Sequence, residues 1–254
     1  MLTTTVDYNS ICYKRNFLKE VIARIDFINP IKSLEKEIPK KITRSIKENF
    51  PIVEPRKAIA QELQISPRSF SHKSQEFIEW NFHGKNKDKT LTISQNSIFV
   101  SYKKYESYEN LKNEYLEIVN TIAEIYDDIQ ARRAGLRYIN EIILDGDPFI
   151  WEDYLNNKIL CLLSFYDNKK EISRIFNVIE FNYDIFNLRY QFGMHNPDFP
   201  APIKQKRFIL DMDAYNEGIL DISEVTRLID DFHSNIQELF EYSITDKLRE
   251  ILNG

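Results

Sequence analysis

Apolar and polar residues alternate along Leu18–Ile28 (LKEVIARIDFI), the pattern of a strand with one face in a core and the other in water. Asn29-Pro30 ends it. Over residues 33–49 the period changes. Leu34, Ile38, Ile42 and Ile46 recur every four residues, which predicts a helix with Pro39 as a kink or as its first turn. Three strand segments follow, at Ile52–Ile65 (interrupted by Pro55), at Glu76–Phe82, and at Lys89–Tyr105, where Gln95-Asn96 marks either a bend or a hairpin. Tyr108–Tyr126 reads as a helix with Leu111, Tyr115, Ile118, Val119, Ile122 and Ile125 on one face and Ser107 as its N-cap.

The order then begins again. Gln130–Leu144 (QARRAGLRYINEIIL) alternates as a strand, residues 150–165 have helical spacing, and Ile172–Phe181, Ile185–Phe192 and Arg207–Met212 read as strands. The last helices carry Val225, Leu228, Ile229, Phe232, Ile236 and Phe240 on one face. The expected fold is therefore α+β: a polar segment 1–16, a β-α-β-β-β-α unit at 17–128 and a second at 129–254. The natural packing is two antiparallel sheets in pseudo-twofold arrangement, with long amphipathic helices on one side; one continuous antiparallel sheet is the alternative. The repeat rests on element order, because residue identity between the halves is poor.

Composition narrows the class. The 254 residues include 17 Phe and 14 Tyr but only 6 Gly, which argues against glycine-rich phosphate loops. GxGxxG, GxxxxGK[ST] and GxSxG are absent. No stretch approaches the roughly 18 apolar residues of a membrane helix, and the N-terminus lacks the layout of a secretion signal. Cys12 and Cys161 have no metal-ligand spacing and read as thiols in a reducing cytoplasm. A net charge of −5 speaks weakly against bulk nucleic-acid binding.

Three segments, NFLKEVIARIDF, RRAGLRYINEI and FHSNIQELFEYSITDKLREILNG, together with FILDMDAY at 208–215, resemble a sporadically distributed family of bacterial and archaeal proteins of about this length whose biochemical role is unknown. The resemblance implies a cytoplasmic protein with the patchy occurrence of mobile genes and antiviral defence systems. It supplies no catalytic residues.

The residues themselves offer several candidates. Arg133 and Arg137 share a strand face with Gly135 between them, an arrangement suited to a phosphate, a carboxylate or a partner backbone, and Asn140 continues the segment as a polar orienting group. Lys32, Lys36, Lys40 and Arg44 would form a basic ridge on the first helix, though Glu35, Glu37 and Glu48 are interleaved. Asp211 and Asp213 share a strand face at about 7 Å spacing, a weak candidate for a metal. His72, His83, His195 and His233 form no metal-binding pair; His233 falls beside an apolar stripe as a structural residue. The proline-rich segment 194–202 could serve as a docking loop.

These readings point first to a non-catalytic binding or adaptor protein acting with a neighbouring gene product, with no cofactor, no metal and no membrane. One alternative is a nucleic-acid-contacting partner subunit of a guided nuclease such as a short Argonaute. Another is a small-molecule sensor or hydrolase with a ligand between the two halves near Arg133 and Arg137.

Overall fold

Strand β1 (Leu18–Phe27) sends Val21, Ala23, Ile25 and Phe27 into the core and Glu20, Ile22, Arg24 and Asp26 to the opposite face, as its alternation requires. The computed structural model describes residues 7–66, 69–126 and 128–254, with the side chains of Asn9 and of residues 59–66 and 69–75 outside that description. A 3-10 turn at Lys32–Glu35 precedes the short helix α1 (Lys40–Ser45). Then come β2 (Ile52–Ser66), β3 (Ser69–His83), β4 (Lys89–Ile93), β5 (Ser97–Tyr102) and helix α2 (Tyr108–Ala123). The chain continues through β6 (Gln130–Leu144), β7 (Ile175–Asn182), β8 (Asn187–Met194) and β9 (Lys206–Asp221) to helices α3 (Ile222–Ser243) and α4 (Asp246–Asn253).

Among the described residues all nine strands lie in one antiparallel sheet of order β2-β3-β4-β5-β1-β6-β9-β8-β7. This corrects the expectation of two facing sheets with long helices. β1 and β6 pair side by side, with Ile22 opposite Arg137 and Ala23 opposite Leu136. The ladder thereby satisfies backbone groups that two separate sheets would each have left on an edge. The molecule is sheet-rich, and only α2 and α3 are long helices among the described residues. Their apolar stripes, including Tyr115, Ile118, Ile122, Ile229, Phe232 and Ile236, are buried. The opposite sheet face is left open, with Ile22, Phe99, Ile139 and Ile209 half-buried on it.

Two predicted helices differ for local reasons. Within 33–49, Pro39 is the N-cap of a six-residue helix, because the residue before a proline is pushed out of helical geometry. Residues 150–165 form turns and a 3-10 segment instead of a helix. There the Asn156 side-chain Oδ1 accepts from the Lys158 backbone amide at 3.0 Å, an Asx turn that competes with helix propagation. Trp151 and Leu155 keep their buried positions nonetheless. Pro55 does not interrupt β2, since β2 is an edge strand on which a missing donor is tolerated. No helix among the described residues is long and apolar enough to cross a membrane.

Candidate functional site

Arg133 and Arg137 do share the open face of β6, but each is engaged by β9. Arg137 makes a two-pronged pair with Asp211, Nε to Oδ1 at 2.7 Å and Nη2 to Oδ2 at 2.6 Å. Arg133 donates to Glu217 at 2.9 Å and to Asp213 at 3.3 Å, and its guanidinium lies over the Tyr215 ring at 4.4 Å. The register Arg137–Asp213, Ile139–Asp211 sets these residues on adjacent strands, so the basic and acidic candidates neutralise each other. The hydrogen bonds that Arg137 donates to Asp211 raise the Arg137 pKa. Burial raises that of Asp213, with Arg133 and Arg137 opposing. No group of three His, Cys, Asp or Glu among the described residues is placed to hold a metal. A shallow depression of about 300 Å³ remains above Gly135, bordered by Arg24, Phe99, Arg133 and Arg137.

Lys40 and Arg44 are exposed on α1, but the ridge is cut. Lys32 belongs to the preceding 3-10 turn, and Lys36 follows it outside the helix. The side chain of His72 lies outside the described residues. Segment 194–202 is anchored through the buried Asn196, whose amide donates to the Ser173 and Ala201 carbonyls at 3.0 and 2.6 Å.

Asn140 faces the other way. Strand alternation turns Tyr138 and Asn140 towards the helices, on the face opposite Arg137 and Glu141. There they line a cavity of about 190 Å³ with Tyr105, Met212, His233 and Phe240. A register shift between Leu18 and Glu20 bends β1 beside it, leaving Leu18 opposite Asn140. Tyr138 Oη lies 3.3 Å from Tyr105 Oη and 3.1 Å from His233 Nδ1. His233 stacks on Tyr108 with ring centroids 3.7 Å apart, and Tyr108 donates to Asp230, which also accepts from Lys112.

Burial sets the protonation of this network. It lowers the His233 pKa to about 4 against the opposing pull of Asp230, so the imidazole is neutral at pH 7. Burial likewise pushes Tyr105 up to about 12 and raises Tyr108 and Tyr138. The cavity therefore offers neutral hydrogen-bonding groups on apolar walls. His233 falls on the structural reading that its place in the helix stripe suggests, for it is buried at 3% exposure within the tyrosines.

The sheet's outer strand β7 stands apart from these sites. Phe176, Val178 and Ile179 are 46%, 49% and 43% exposed. Phe176 and Val178 project on the open face, opposite Gly193 and Gln191, and Ile179 projects on the other, opposite Tyr190. Glu180 is the strand's one charged residue, 3.5 Å from Arg189. Gly193 on β8 has φ of +152°, and a side chain there would collide with the Ile175 carbonyl, so the close β7–β8 approach requires glycine. The alternation over Ile172–Phe181 predicts a strand here but no site. The available signal was the run IFNVIEFN, which is apolar at both alternating sets of positions and lacks lysine, arginine and proline.

No family model matches the chain, and no curated protein matches it, so the functional reading rests on these residues.

Proposed function

We propose that this chain is a non-catalytic binding protein that receives an extended strand of a partner protein on the outer edge of β7. The observation that carries the reading is an eight-residue edge strand with Phe176, Val178 and Ile179 exposed and without lysine, arginine or proline. An edge presents unpaired backbone donors and acceptors, and natural sheets ordinarily guard it with charge or proline. Strand addition uses those backbone groups for affinity and alternate side chains for selectivity. The partner strand expected here has apolar residues on both faces and a basic residue within reach of Glu180. A neighbouring gene product in the cytoplasm, within a mobile or defence system, is the partner that the family resemblance suggests.

The nucleic-acid reading draws less support, since Arg133 and Arg137 are held by Asp211, Asp213 and Glu217. Co-expression with the products of the flanking genes tests the proposal. A stoichiometric complex that is lost on Val178→Lys, with the fold retained, is the expected result. Failure to form any such complex, or a complex indifferent to Val178→Lys, would overturn it.

A further inference from the structure

Asn140 is 5% exposed at the centre of the molecule, yet its carboxamide makes no hydrogen bond to any described residue. Its backbone is paired between Leu18 of β1 and Leu210 of β9, so the side chain cannot swing to another face. Its amide nitrogen and oxygen are not sealed from solvent, so their hydrogen-bonding capacity is open to whatever fills the adjoining space. The amide lines the cavity of about 190 Å³, which gives its two donors and one acceptor somewhere to be used.

The walls define the guest. Phe17, Leu18, Met212, Ile236, Phe240 and Leu252 supply apolar surface. The polar lining includes the Asn140 amide and the Tyr105 and Tyr138 hydroxyls, with His233 bonded to Tyr138, and also Asn16, Ser107 and Gln237. The acids Glu106 and Glu109 stand exposed at the edge of the lining, and no buried charge lines the cavity. A charged ligand would lose its hydration without gaining a counter-ion. An apolar cavity of roughly 150 Å³ is enough for benzene, so this one has room for a ring with a short substituent, roughly eight or nine heavy atoms.

We infer that the cavity is a binding site for a small neutral molecule with a flat apolar body and one amide, carbonyl or hydroxyl head, the head hydrogen-bonding to Asn140. The site lies on the helix-covered side of the sheet and does not depend on strand docking at β7. Ile11, Cys12, Tyr13, Asn16 and Phe17 also line it; Cys12 is exposed and Asn16 donates to the Tyr105 carbonyl at 3.3 Å.

Benzamide, phenol, toluene and benzoate serve as probes of the full chain, by calorimetry and by thermal shift. Benzamide and phenol are expected to bind saturably with one site. Toluene, which has the body without the head, should bind at least tenfold more weakly, as should the anion benzoate. Asn140→Leu, which keeps the approximate size and removes the head's partner, should abolish the preference for benzamide over toluene. Should that variant fail to fold, the benzamide–toluene comparison on the native chain reads the same contact. Saturable binding by none of the probes, equal binding of benzoate, or a benzamide preference that survives in Asn140→Leu would each overturn the inference.

Discussion

The two edges of the sheet follow opposite rules. β2 is outermost at one end, and its exposed positions include Pro55, Arg56 and Lys57, with Glu54 paired to Lys87 at 2.6 Å. Proline removes a backbone donor and the charges resist burial, so a strand approaching this stretch meets both obstacles. β7 is outermost at the other end and has no proline, lysine or arginine. Its exposed side chains are Phe176, Val178, Ile179, Glu180 and Asn182, and the one charge, Glu180, lies 3.5 Å from Arg189. The shared backbone geometry of an edge strand is therefore not what distinguishes them. Side-chain chemistry guards the described stretch of β2, Ile52–Ala58, and leaves β7 without such a guard, which is why we propose partner binding at β7.

The contrast breaks most decisively if β7 is given the guard of β2. Val178→Lys with Ile179→Lys should weaken partner binding roughly a thousandfold, about 4 kcal/mol, read by calorimetry on the co-expressed pair. A loss below tenfold would remove the distinction between the edges.

Acid should act on the core and leave the edges alike. Because the His233 pKa falls from 6.5 to about 4 on folding, the unfolded chain takes up a proton between those pH values that the folded chain does not. Stability attributable to this residue is complete above pH 6.5 and is lost as pH falls towards 4, by about 3 kcal/mol. His233→Phe keeps a ring against Tyr108 and should flatten that part of a denaturation-versus-pH profile.

Gly193→Ala should detach the receptive edge from inside. The collision with the Ile175 carbonyl and the φ of +152° are expected to cost about 2 kcal/mol in urea unfolding and to expose β7 amides to exchange. The smallest effect is expected from Val178→Lys alone on the stability of the free chain. An exposed edge side chain contributes little, so the change should stay within about 0.5 kcal/mol. A larger loss would mean that β7 serves the fold more than a partner.

The sequence made some of this legible and hid the rest for identifiable reasons. β6 was readable at Gln130–Leu144 because burial on one face alone imposes a strict alternation. Helix α2 was readable from its stripe and from Ser107, whose hydroxyl accepts from the Asn110 amide. The joining of β1 to β6 was not, since alternation gives a strand's faces and says nothing of which strand lies beside it. The same limit obscured the arginines. Their shared face was visible in the spacing of Arg133 and Arg137, but Asp211, Asp213 and Glu217 reach them only through the β6–β9 register. Asn140 was singled out with those arginines, yet three residues along a strand place it on the opposite face from Arg137, in the cavity. The unguarded edge was present in the composition of IFNVIEFN, but only the strand order reveals that this strand is outermost.

Amide hydrogen exchange along both edges, with and without the co-expressed partner, tests the central claim most directly. Strand addition at β7 predicts slowed exchange at Ile175–Asn182 in the complex and no change along Ile52–Ala58 of β2. Protection at β2, or unchanged exchange at β7 within a formed complex, would contradict it.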